Sequence, residues 1–216
     1  MEHINVFVLF LFLYALTWAA LVIGVVLVAN NFKPALLMRT WFIEKRKIMF
    51  RYPPFSILLD QWLKNNYMPA ALIFLFIIIV PAIVLQFLMG MILISPLLAV
   101  YQGMTVGILI GNLNTRSTVW AAFTGLFELG YFAFAGALGM YASISWLFEG
   151  INFSDALSGS INIFSTGYWI FLAVCAAGNA FLETAGPIYW NMQGPITLSE
   201  LKGSGDRREI LVRRRG

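Results

Sequence analysis

Apolar residues in this sequence do not alternate with polar ones, and they do not recur at every third or fourth position. They run together in long blocks with short polar stretches between them. The first block, residues 6–28, contains no charge, and residues 67–110 contain none either. A helix needs about 20 apolar residues to cross about 30 Å of hydrocarbon, so the first block predicts one crossing and the second, twice as long, predicts a hairpin of two. The hairpin spans fall at 68–90 and 94–111, with Pro81 expected to kink the first helix and the turn expected between Gly90 and Pro96, where Ser95 precedes the proline. Further spans are predicted at 118–144 and 161–189. The fold class that follows is an all-α polytopic membrane bundle of five transmembrane helices, with a helical segment lying at the membrane interface between the first and second.

Composition agrees with a membrane solvent: 60% of the residues are hydrophobic, only 11% are charged, and mean hydropathy is +0.81. A soluble domain has about a quarter of its residues charged. The distribution of charge then predicts an orientation. Residues 31–66 hold Lys33, Arg39, Lys45, Arg46, Lys47, Arg51 and Lys64, the loop near 112–116 holds Arg116, and the tail from 191 holds Lys202, Arg207, Arg208, Arg213, Arg214 and Arg215. With five spans these seven, one and six residues fall on one side and account for all 14 Lys and Arg. The loop at 145–160 carries Glu149 and Asp155 and no basic residue. The positive-inside rule therefore predicts the N-terminus outside and the C-terminus in the cytoplasm. A secretory signal would carry a basic leader and a shorter apolar core; only Glu2 and His3 precede the first block, so it reads as a retained helix.

The expected organisation is a first transmembrane helix at 1–30, a basic interfacial segment at 31–66, a four-helix membrane domain at 67–190 and a basic tail at 191–216. Large apolar residues, among them Trp41, Phe42, Ile48 and Met49, sit between the basic ones in the interfacial segment. This pattern suits first an anchor on anionic headgroups and second a docking site for a partner protein. The net charge of +4 and pI near 9.3 read as lipid attraction and not as nucleic-acid binding, because the basic residues border apolar spans.

Cys175 is the only cysteine and His3 the only histidine, so no Cys/His zinc site or intramolecular disulfide can be assembled, and no metal or cofactor is expected. The residues with chemistry to offer are Glu128 and Glu183, both inside predicted spans. A carboxylate left charged and unpaired in hydrocarbon costs several kcal/mol. Thr124 lies four residues before Glu128 and Asn179 four before Glu183, so each polar pair shares one helix face, and those faces are expected to look into the bundle. The four residues form either a buried polar site for a proton, a cation or a basic group, or a set of hydrogen bonds that pack helices. Gly103, Gly107 and Gly111 make a stripe of small residues on the third helix, and Gly130 and Gly136 lie in the small-residue-rich fourth. Glu183 is followed by Gly186 and Pro187, which are expected to disrupt the fifth helix near the membrane surface.

With these residues in view, the chain resembles the stage II sporulation protein M family of integral membrane proteins over about residues 64–193. The resemblance begins at Lys64-Asn-Asn-Tyr67 and continues through Gln102-Gly-Met-Thr-Val-Gly107. It then takes in Gly125-Leu-Phe-Glu-Leu129 with Phe134-Ala-Gly-Ala-Leu-Gly139, and Ala180-Phe-Leu-Glu-Thr-Ala-Gly-Pro187. Where the family usually has Pro-His-Gly before its first glutamate, this chain has Phe123-Thr-Gly125, so no role of that histidine carries over. The resemblance implies a non-catalytic membrane scaffold or complex subunit, since the namesake works in a complex with cell-wall-degrading proteins during engulfment. Relatives also occur in organisms that never form spores. It implies a cell-membrane, multi-pass protein with other membrane proteins or further copies of itself as partners. A small transporter or channel using Glu128 and Glu183 is the alternative, and an intramembrane lipid-modifying enzyme a second one.

Overall fold

The computed structural model describes residues 5–111, 113, 115–162 and 166–189. Glu2, His3 and the basic tail from 191 onward lie outside the described residues. Among the described residues every regular element is a helix: α1 (Val6–Ala29), α2 (Lys33–Met49), α3 (Phe55–Leu63), α4 (Tyr67–Ile73), a π-helical stretch (Phe74–Ile79), α5 (Val80–Met91), α6 (Ser95–Ile110), α7 (Thr115–Phe148), α8 (Phe153–Asn162) and α9 (Thr166–Tyr189). Three stretches are long and apolar enough to cross a membrane, Val6–Ala29, Tyr67–Met91 and Ser117–Phe148. Ser95–Ile110 and Ile170–Gly186 are shorter apolar helices. Large side chains such as Phe12 and Val22 on α1, and Val84 and Leu88 on α5, are half exposed, which suits a lipid solvent and not water.

Local chemistry explains the helix ends. Asn5 caps α1, its side-chain oxygen accepting from the Phe7 N–H at 2.8 Å. Three helices stop on a residue in the left-handed region, Asn31 (φ 54°), Asn65 (φ 56°) and Leu93 (φ 58°). Each is followed by an N–H that reaches back to a carbonyl of the last turn: Phe32 to Leu27, Asn66 to Gln61 and Ile94 to Met89. Asparagine tolerates that conformation, whereas leucine does so only at a steric cost.

Between α4 and α5 the chain stays helical, but the Val80 N–H bonds to the Leu75 carbonyl five residues back. Pro81, expected to kink this span, has no N–H to give, and its ring crowds the carbonyl four residues earlier. The widened π turns just before it absorb that mismatch. The turn of the predicted hairpin lies at Ile92–Ile94, inside the expected 90–96 window, but Gly90 belongs to α5 and serves packing. Two boundaries differ more. Residues expected to form a loop at 145–160 continue α7 to Phe148 and then form α8. Apolar Trp146, Leu147 and Phe148 are compatible with further helix, and Gly150, at φ 71°, provides the break. The interfacial segment is two helices, with the Pro53–Pro54 pair between them.

Backbones meet at glycines. On α6, Gly103 faces the Thr17 carbonyl, Gly107 faces the Leu21 carbonyl and Gly111 faces Val28, so α6 runs parallel to α1 in step with it. Gly24 answers from the other side, where a Cβ would come within 2.6 Å of the Met104 carbonyl oxygen. A second crossing joins α5 to α7: Gly90 lies against Gly136 and Gly139, and Gly139 against the Phe87 carbonyl. Gly136 also abuts Ser95, whose hydroxyl would lie 2.8 Å from a Cβ placed there. Ser143 donates to the Met91 carbonyl at the far end of this pair. At Gly130 the packing is looser, since a Cβ there would stand at ordinary contact, 3.7 Å from the Cys175 sulfur. The long helix α7 thus touches α1, α5, α6, α8 and α9 and is the hub of the bundle.

The arm made by α2 and α3 closes one end. Ala35 of α2 is buried with Val28 and Ile108, while Leu58, Leu59 and Trp62 of α3 pack on Ala70 and Phe74. Because small side chains at the crossings leave no slack, Gly107→Ala and Gly139→Ala are each expected to destabilise the protein by about 1–3 kcal/mol. Gly159, with nothing within 4 Å of a Cβ, should accept alanine without loss. Denaturation midpoints in detergent check all three.

Candidate functional site

The candidate site lies between α7 and α9, which pack antiparallel. Their ladder is set by small and aromatic residues: Phe134 meets Phe171 edge to face at 5.7 Å between ring centroids, Gly130 meets Cys175, and the Phe127 ring covers Gly178, 3.2 Å from where its Cβ would be. The same register continues to the polar residues. Tyr131 lies opposite Asn179, whose side-chain nitrogen is 3.3 Å from the phenol oxygen, and Thr124 lies near Glu183 of the facing helix.

The structure therefore brings Thr124, Glu128, Asn179 and Glu183 into one cluster, paired differently from their spacing along each helix. The Thr124 hydroxyl donates to its own helix's Ala121 carbonyl at 3.1 Å. Asn179 serves Tyr131. The Glu128 and Glu183 carboxylates are close enough to act on one another electrostatically.

Arg46, exposed on α2, exerts a weak through-space pull on both carboxylates. It closes no direct ion pair with either; its neighbours Lys47 and Glu44 form a local pair at 3.2 Å instead. The two glutamates keep part of their surface accessible. Around them the packing is tight, with Thr124 at 2% and Thr184 at 0% exposure.

Two further residues belong to the site and escaped the sequence reading. Tyr131 falls three residues after Glu128, on the same helix face, and a buried phenol is expected to find a polar partner; that signal was available. Arg46 had none, because its position depends on how α2 folds back over the bundle. Nearby, the Tyr67 hydroxyl donates to the Phe181 carbonyl at 3.1 Å, tying the start of α4 to the glutamate-bearing end of α9.

The glycines predicted to pack or to form an interface divide by location. Gly103, Gly107 and Gly111 meet α1, Gly136 meets α5 and α6, and Gly130 meets α9 beside the site. The break expected at Gly186 and Pro187 does not occur, because α9 continues through both residues to Tyr189; the Pro187 side chain lies outside the described residues. A separate cleft of about 600 Å³ is lined by apolar residues of the π-helical stretch, α5, α7, α8 and α9, including Leu75, Ile83, Leu138 and Ala176. It holds none of the charged groups.

Chemically, the cluster offers carboxylate, hydroxyl and amide oxygens and one standing positive charge. It can bind a cation or exchange a proton. Among the described residues no group of three or more His, Cys, Asp and Glu comes together. No protein-family model, curated protein or solved structure matches this chain.

The Asn179–Tyr131 contact should be measurable by itself. In a double-mutant cycle of Tyr131→Phe and Asn179→Ala, the expected coupling is about 0.6 kcal/mol, the average for hydrogen bonds between membrane helices. Additive losses of stability would show that the two side chains do not act together.

Proposed function

We propose that the chain is a five-span cell-membrane protein, N-terminus outside and C-terminus in the cytoplasm, that serves as a non-catalytic subunit or scaffold of a membrane complex. The observation that carries this reading is the α2–α3 arm. Its ends are packed onto the bundle while Leu37 at 73% and Trp41 at 55% exposure point away from it, among Lys45, Arg46 and Lys47. Lys45 lies over the Trp41 ring at 5.6 Å. Basic and aromatic side chains held at one end of a rigid bundle suit contact with anionic headgroups and with a partner protein at the membrane surface. The resemblance to the stage II sporulation protein M family supports the same class of role. The five-span count is supported by the two shorter apolar helices, and the orientation by the one-sided Lys and Arg.

A second reading, a small transporter or channel, is favoured by one specific observation: two carboxylates from different helices come near enough inside the apolar bundle to act on one another. Unpaired charge at that depth is costly and is usually retained for function.

Cysteine labelling tests the orientation. On a Cys175→Ala background, Asp155→Cys is expected to react with a membrane-impermeant thiol reagent from outside, and Lys47→Cys only after permeabilisation. The reverse pattern would overturn the topology. For the role itself, mild-detergent purification at native expression should return a stoichiometric partner; recovery of the chain alone would count against a complex subunit. In proteoliposomes, cation flux abolished by Glu128→Gln or Glu183→Gln would establish the second reading instead.

A further inference from the structure

We propose that the apolar cleft between α5 and α9 is a binding site for one acyl chain of a membrane phospholipid, which the protein retains and does not merely touch in passing. The inference is independent of the subunit reading and stands whether or not the chain works in a complex.

The walls of this cleft are held by contacts outside it. α5 is locked to α7 where Gly90 meets Gly136 and Gly139, and α9 is set on α7 by the Phe134–Phe171 and Phe127–Gly178 contacts. α9 also packs on α4 and the π-helical stretch, where the Tyr67 hydroxyl donates to the Phe181 carbonyl. Past the π turns and Pro81, α5 and α9 flank a cleft of about 600 Å³, with Ala135 and Leu138 of α7 and Ile161 of α8 completing its lining. Walls fixed in this way cannot collapse to remove the space. Left empty, it would cost the lining atoms their dispersion contacts.

The chemistry of the lining selects what fills it. Every lining residue is apolar, so a water, a headgroup or a polar ligand would leave its hydrogen-bonding groups unmet there. A hydrocarbon chain has no such groups. The volume is in the range of about 300–1,000 Å³ typical of small-ligand pockets.

Shape excludes a helix as occupant. Along one wall the lining runs from Leu75 to Phe87, about 18 Å at 1.5 Å per residue. A helix of that length, about 10 Å across with its side chains, fills about 1,400 Å³, more than twice the space. An extended acyl chain is thin enough to lie along it. The rim is open to the bilayer, with Val84 at 52% and Ile161 at 45% exposure, and the medium it opens to is phospholipid hydrocarbon. A chain inside touches α5, α7 and α9 together, whereas one on a convex helix face touches a single helix. The added dispersion contact is what retains it.

Native mass spectrometry tests the proposal on full-length protein moved into mild detergent from nanodiscs of palmitoyl-oleoyl phosphatidylethanolamine and phosphatidylglycerol. One retained phospholipid per chain is expected. Ala173→Phe and Ala177→Phe, which put a ring into the cleft from α9, should each lose it, and Val22→Phe on the exposed face of α1 should keep it. No retained phospholipid in the unaltered protein, or equal retention in Ala177→Phe, would overturn the proposal. A second measurement needs no variant: in the same nanodiscs, a phospholipid with a photoreactive diazirine on its acyl chain should label Ile83, Val84 and Ala173 well above Phe12 and Val22 of α1. Even labelling of the two sets would mean that lipid only surrounds the bundle, and the proposal would fall.

Discussion

The architecture depends on the close approach of helix backbones at glycine. In lipid, apolar side chains gain little by leaving their solvent for one another, so helices associate through van der Waals contact that lipid chains cannot match. Here that contact is made at Gly103 and Gly107 against α1 and at Gly90 and Gly139 between α5 and α7. In both crossings a carbonyl of the partner helix occupies the space where a Cβ would stand. The first crossing locks α6 to α1, the second locks α5 to α7, and α7 also packs on α1 and α6; α9 is then placed against α7 by the smaller contacts at Gly130 and Gly178. The position of the glutamates is the last consequence of that chain of contacts.

The same tightness gives the polar residues their character. Close packing admits few alternative rotamers, so Asn179 and Thr124 cannot swing to find new partners once the helices are docked. The hydrogen bonds across α7 and α9 are therefore fixed by the helix register, and the acceptors left over are fixed too. A cluster with surplus acceptors inside an apolar bundle has three ways to lower its energy: protonation, an approaching positive side chain, or a bound cation. Arg46, exposed on α2, supplies only a weak through-space part of the second. Its exposed position and lack of direct ion pairs leave the compensation incomplete.

Much of this was legible in the sequence because the membrane imposes strong and simple constraints. Uninterrupted apolar blocks located the helices, and the glycine spacing on α6 marked a small face. The helix-periodic positions of Thr124 with Glu128 and of Asn179 with Glu183 put the four residues on interior faces. What the sequence did not show was pairing across helices. Spacing along one helix reports which residues share a face, and says nothing about which residue of another helix stands opposite. Tyr131 opposite Asn179 follows from the Phe127–Gly178 and Gly130–Cys175 contacts, and those are facts of packing. The continuation of α7 to Phe148 was missed for a related reason, since a loop was inferred from Glu149 and Asp155, and two acidic residues do not end a helix; Gly150 does.

The α2–α3 arm links the two parts of the molecule that the sequence presented as separate. The basic segment reads, residue by residue, as a surface for anionic headgroups, and the glutamates read as an isolated intramembrane problem. Folded together, the arm is seated on the bundle: Ala35 is buried with Val28 and Ile108, and Leu58, Leu59 and Trp62 pack on Ala70 and Phe74. Lys45 and Lys47 stay engaged with Trp41 and Glu44, and the exposed Arg46 adds only a weak through-space pull on the two carboxylates. Packing therefore holds the basic surface against the bundle, and charge contributes little to holding it there.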